Sequence, residues 1–106
     1  KINPDFVIEI TELDMSCYGW GNNDLTIDFK SIEKDFNAKY VELFNMLMDL
    51  SEEGLLDSVV FWGFNDGNTW LNGFPIEGRT NYPFLIDADL KFKSAFWKVI
   101  ELPKKR

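Results

Sequence analysis

The sequence predicts an α/β fold in which two parallel strands alternate with two helices, in the order β-α-β-α. Three observations carry that expectation. They are a β-branched, apolar run at Phe6 to Leu13, an apolar stripe of helical period from about Ser31 to Glu53, and an unbroken apolar run at Val59-Val60-Phe61-Trp62. With 106 residues, 45% of them hydrophobic and 16% aromatic, the chain is the size of one domain. It is too rich in apolar side chains for a disordered segment, so a core is expected.

The first strand, Phe-Val-Ile-Glu-Ile-Thr-Glu-Leu, follows Pro4 and is built from residues that suit a pleated, half-buried surface. Met15 to Lys30 then carries Gly19, Gly21 and Asn22-Asn23-Asp24 with two exposed-looking aromatics, Tyr18 and Trp20, and reads as a long loop. In the next stretch Phe36, Tyr40, Leu43, Phe44, Leu47, Met48 and Leu50 recur at three- and four-residue steps. That is one face of an amphipathic helix closed by Gly54, and its aromatics are packing groups. The apolar run at Val59 to Trp62, reached through Leu55-Leu56-Asp57-Ser58 and ended by Gly63, is of the kind found in strands buried on both faces, which points to a parallel sheet joined by a right-handed crossover. Asn65 to Asp89, with Pro75 and Pro83, reads as a second long loop, and Lys93 to Leu102 as a helix ended by Pro103. Two parallel strands leave two unpaired edges, so the chain is expected to be a piece of a larger body.

Composition narrows the chemistry. Eleven basic against eighteen acidic residues leave a net charge of −7, which repels phosphate backbones and anionic membranes and leaves neutral ligands such as glycans unaffected. No apolar run reaches the roughly 20 residues needed to cross a bilayer, and Lys1-Ile2-Asn3-Pro4 is not a signal peptide. Neither nucleic acid nor membrane is expected as a partner. The absence of histidine removes Ser-His-Asp and Cys-His chemistry from this chain and the commonest zinc ligand with it. No metal or cofactor is expected, including at Asn65-Asp66-Gly67-Asn68, which lacks the glutamate a calcium loop needs. The single Cys17 has no internal disulfide partner and is assigned no role. The terminal Lys104-Lys105-Arg106 reads as a solvated tail or a linker.

Acid and base work must therefore rest on carboxylates. Glu12 falls at the C-terminal end of the first strand and Trp62 at the same end of the second, where (β/α)-barrels build active sites. Alternation assigns Glu9 to the opposite face and Asp14 to Glu12's own, about 6.6 Å along an extended strand. Two carboxylates on one strand are badly placed to flank a glycosidic bond from both sides, which makes Asp14 a supporting group.

Phe6 to Asp14, with its Thr-Glu-Leu-Asp, resembles the seventh strand of glycoside hydrolase family 10 xylanases, whose Thr-Glu-Leu-Asp motif carries the catalytic nucleophile. The residue matching it is Glu12. Val60-Phe61-Trp62-Gly63-Phe64-Asn65-Asp66-Gly67-Asn68-Thr69-Trp70 is similar to that family's eighth strand, with Thr69 in place of serine. Leu71-Asn72-Gly73-Phe74-Pro75 and Gly78-Arg79-Thr80-Asn81-Tyr82-Pro83-Phe84-Leu85-Ile86-Asp87 are similar to segments that follow in the same order. Phe92-Lys93-Ser94-Ala95-Phe96 departs from the family's Pro-Lys-Pro-Ala-Tyr, so the last helix starts without its prolines.

The resemblance implies that residues 1–106 are the C-terminal portion of a catalytic TIM (β/α)8-barrel, its seventh and eighth strand–helix units. It implies a retaining endo-1,4-β-xylanase in which Glu12 is the nucleophile and Trp62 and Trp70 wall the subsite on the nonreducing side of cleavage. Flat indoles suit the apolar face of a pyranose. It also implies a secreted enzyme acting on xylan or xylo-oligosaccharides. The family's acid/base glutamate lies on an earlier strand, so the chain alone is expected to be inactive and to need the remainder of its barrel, or to self-associate. The alternative is a noncatalytic glycan-binding or interaction module presenting Trp20, Trp62 and Trp70 on loops.

Overall fold

The computed structural model of the chain describes residues 7–19 and 21–102, so the expectations for Phe6, Trp20 and the Lys104 to Arg106 tail fall outside the described residues. The element order is β1 (Ile8–Leu13), α1 (Phe29–Glu52), β2 (Leu56–Phe61) and α2 (Ser94–Ile100), the β-α-β-α succession read from periodicity. β1 and β2 pair in parallel as a two-stranded sheet, the geometry a helical crossover imposes.

Helix α1 begins two residues before the stripe that announces it, because Asp28 caps it: its carboxylate accepts the Lys30 N–H at 3.2 Å. Its other end closes at Gly54, whose φ of 76° favours glycine. The Gly54 N–H donates to the Ser51 carbonyl and the Leu55 N–H to the Leu50 carbonyl, a Schellman arrangement that satisfies the helix's last acceptors. The inward face buries Phe36, Tyr40 and Leu47.

Tyr40, wholly buried, is the centre of the core. Its ring packs edge-on against Phe36 and lies parallel to Phe61 of β2, and Phe61 in turn meets Phe84. The Tyr40 hydroxyl donates to the Pro83 carbonyl at 2.5 Å, and burial raises its pKa above the ordinary tyrosine value.

β2 is buried on one side only. Val60 is half exposed, as are Val7, Phe64 and Trp97, so the expectation of a strand covered on both faces does not hold within this chain. Among the described residues, one face of the sheet and one side of α2 have no layer over them.

Residues 62–93 carry no helix or strand beyond one isolated bridge, Ile86 to Phe92, and are ordered by buried polar side chains. Asp66 and Lys93 form an ion pair at 2.9 Å with both side chains buried. Asp66 also accepts the Phe84 N–H, and Lys93 also donates to the Tyr82 carbonyl. Asn81 donates its own N–H to the Asn72 side chain, which donates to the Asp66 carbonyl. Among the described residues no buried side-chain polar atom lacks a partner, the condition under which such a network adds rigidity rather than cost.

α2 is shorter than expected, starting after Lys93 and ending at Ile100. The departures from Pro-Lys-Pro-Ala-Tyr make contacts of their own. Ser94 Oγ donates to Glu33 and accepts from Asn37, tying α2 to α1 as a proline cannot, and Phe92 stacks on Phe96 with centroids 4.2 Å apart.

Candidate active site

Parallel pairing brings the C-terminal ends of β1 and β2 to one edge, and the residues singled out in the sequence gather there. The Trp62 N–H, one residue past β2, donates to the Leu13 carbonyl at 2.8 Å, which fixes Trp62 beside the last residue of β1. Glu12 lies one residue before that point and is exposed.

The pairing is irregular where Glu12 sits. Ile10 faces Val59 and Leu13 faces Phe61, so three steps along β1 match two along β2. The extra residue breaks the alternation, and Thr11 and Glu12 are both exposed while Ile10 and Leu13 are partly buried. Bulges of this kind re-aim a side chain. The assignment of Glu9 to the face opposite Glu12, which assumed unbroken alternation, does not carry across the irregularity: both are exposed, while Ile8, Ile10 and Leu13 are partly buried. A second irregularity, between Ile8 and Glu9, offsets it, so that the first pair, Ile8 with Leu56, and the last, Leu13 with Phe61, are the same number of steps apart on both strands.

Asp14 touches the aromatic wall. Its carboxylate accepts the Trp70 indole N–H at 2.7 Å, so a residue read as supporting holds one of the two tryptophans. Trp62 and Trp70 are 48% and 50% exposed. Trp70 also stacks on Phe74, centroids 4.8 Å apart, so only part of its surface is free.

Trp70, Leu71, Phe74, Pro75 and Arg79, together with Ser16, Tyr18 and Asn22 of the β1–α1 loop, line a cleft of about 420 Å³. Tyr18, expected to be exposed, is 8% exposed: the Arg79 guanidinium lies over its ring and its hydroxyl donates to the Thr80 carbonyl at 2.6 Å. The loop's pattern of glycines, asparagines and aromatics gave no sign of that anchor, because the anchor lies about sixty residues away. Thr69, standing where serine was expected, accepts the Leu71 N–H through its hydroxyl, a contact that serine also makes.

Burial first, and Asp66 to a lesser degree, push the Cys17 thiol up to about 11 against the lowering influence of Lys93, so the thiol stays protonated and is no nucleophile at neutral pH. Burial also raises the Asp66 carboxyl and lowers the Lys93 ammonium, with the partner's charge opposing each shift. The described residues contain no group of three or more histidine, cysteine, aspartate or glutamate side chains arranged to hold a metal, and no helix long and apolar enough to cross a membrane.

Against known proteins, the sequence model described as Glycosyl hydrolase family 10 matches residues 2–102. Endo-1,4-beta-xylanase C of Paenibacillus barcinonensis is 38% identical over 97 residues, covering 89% of this chain and 9% of that protein. The thermostable celloxylanase of Thermoclostridium stercorarium is 39% identical over 97 residues, 87% of this chain and 24% of that protein. The GH10 structure from Paenibacillus barcinonensis superposes with a TM-score of 0.84 at 35% identity, over 94% of this chain and 29% of that one. A mutant structure in complex with xylotriose superposes with a TM-score of 0.82 at 30% identity, over 91% of this chain and 29% of that one. The chain thus spans less than a third of the length of these relatives.

Proposed function

Because this chain belongs to glycosyl hydrolase family 10, we propose that it is part of a retaining endo-1,4-β-xylanase, supplying the nucleophile Glu12 and the tryptophan wall of the adjoining subsite. The observation that carries this reading is the shared strand edge. There Trp62 is pinned to the end of β1 and Trp70 is held by Asp14, within two residues of Glu12 on either side of Leu13.

In the proposed reaction the Glu12 carboxylate attacks the anomeric carbon of a xylose unit, forming a glycosyl ester as the C–O bond to the leaving sugar breaks. A carboxylic acid elsewhere in the barrel, about 5 to 5.5 Å from Glu12, protonates the departing oxygen and then draws a proton from the water that hydrolyses the ester. Trp62 and Trp70 offer apolar faces to the pyranose, and Asp14 fixes the tilt of the Trp70 indole.

The fold is read as the last two strand–helix units of a TIM barrel. The half-exposed Val7, Val60, Phe64 and Trp97 are the surface its other units would cover. The 106-residue chain by itself is then inactive, and it self-associates when that surface is left open. A polymeric substrate suits a secreted enzyme.

The test is hydrolysis of xylan by this chain alone and combined with the upstream part of a family 10 barrel. Activity is expected only in the combination, falling by about a thousandfold or more in Glu12→Gln, as expected when the attacking group is removed. Binding of xylo-oligosaccharide without hydrolysis by the folded combination would favour a glycan-binding module, a reading that the two half-exposed tryptophans also fit.

A further inference from the structure

Residues 14–28, between β1 and α1, contain no helix or strand among those described, yet this loop borders the site twice. It starts at Asp14, which holds Trp70, and its residues Ser16, Tyr18 and Asn22 line the same cleft as Trp70 and Phe74. A loop without regular structure takes its shape from its attachments, and many of these converge on Arg79 and the residues just after it.

Arg79 is 4% exposed. Its Nε donates to the Asp24 carbonyl at 2.8 Å and its Nη2 to the Asn22 carbonyl at 2.5 Å, while its guanidinium carbon sits 3.9 Å from the centre of the Tyr18 ring. Thr80 adds two clasps, accepting from the Tyr18 hydroxyl and donating its N–H to the Leu25 carbonyl at 2.8 Å. The guanidinium meets two main-chain carbonyls and an aromatic face. What the site uses is therefore the planar fork, which reaches two carbonyls at once while stacking, and a lysine cannot reproduce it.

We propose that Arg79 is a positioning residue of the sugar-binding cleft: it holds Tyr18, Asn22 and Asp24 at a fixed separation from Trp70 and so sets the width in which a xylose unit is received. Arg79 acts through the loop and does not touch the reacting atoms. The inference rests on the reading of this cleft as facing xylan.

The experiment compares Arg79→Lys and Arg79→Ala with the unsubstituted chain, each combined with the upstream part of the barrel. KM for xylan is expected to rise about tenfold and kcat to fall less than threefold, the pattern of lost binding rather than lost transition-state chemistry. Added guanidinium ion, below denaturing concentration, is expected to lower KM in Arg79→Ala and not in the unsubstituted protein, a rescue that a loss of general stability does not produce. Unchanged KM in Arg79→Lys, or a fall in kcat and folded fraction without rescue in Arg79→Ala, overturns the positioning role and leaves the proposed function standing. No hydrolysis by the unsubstituted combination overturns both.

Discussion

Helix α1 and the segment at residues 62–93 pack on one another yet are ordered by opposite means. α1 is specified locally: an apolar stripe, a capping aspartate and a closing glycine lie within its own sequence, and its buried face needs only something apolar to meet. The segment has almost no regular hydrogen bonding and is held by side chains that reach backbone groups far along the chain, among them Asp66, Asn72, Asn81, Arg79 and Lys93. Regular structure satisfies the backbone as it forms. An irregular wall must borrow donors and acceptors from its side chains, and the candidate site is built on the irregular wall.

If that contrast is right, the costliest substitutions fall on the polar network rather than on the helix. Lys93→Met leaves Asp66 buried without its counter-ion and is expected to cost about 3 to 5 kcal/mol in denaturant unfolding, a large part of a small domain's stability. The loss should also depend on pH. Burial already raises the folded-state pKa of Asp66 against the influence of Lys93, and losing that partner raises it further. A carboxyl that binds its proton more tightly folded than unfolded favours the folded state at low pH, and that contribution fades as pH rises through the folded value. Melting of Lys93→Met across pH 5 to 8 should therefore show stability falling with pH more steeply than in the unsubstituted chain. A flat profile would mean that Asp66 finds another partner.

Tyr40→Phe touches the helix side of the comparison. It keeps the ring packing and strands only the Pro83 carbonyl, so about 1 to 3 kcal/mol is expected, less than for Lys93→Met. An equal or larger loss would place the weight of the fold on α1 instead. The smallest effect is expected at the joint between the two regions. Ser94→Ala removes the link from Glu33 and Asn37 and should cost about 1 kcal/mol, whereas Ser94→Pro should cost less because proline suits the first position of a helix. Calorimetric melting of the two variants side by side would separate them.

The same contrast explains what could be read in the sequence. Both helices, both strands and their order follow from period and composition, and the position of Glu12 and Trp62 at one edge follows from parallel pairing, whereas Trp70 is singled out by the family resemblance alone. The bulge under Glu12 did not show, because no glycine or proline marks it and it is fixed by the offset between two strands far apart in the chain. The Asp14 to Trp70 bond and the Arg79 clasp on Tyr18 were equally silent, since a side chain's distant hydrogen-bond partner leaves no periodic trace. The serine in α2's first turn was legible only as a departure from a pattern, and its contact with α1 supplied its meaning.

Parallel pairing also has a consequence in time. Ile8 meets Leu56 only after a chain of about fifty residues has been drawn into a closed loop, so the entropy of closure must be met before the strand contacts return anything. α1 lies wholly inside that loop and can form within itself while the strands are still apart. Glu12 therefore gains its β2-side neighbours only once that loop has closed and the tryptophan after β2 has arrived.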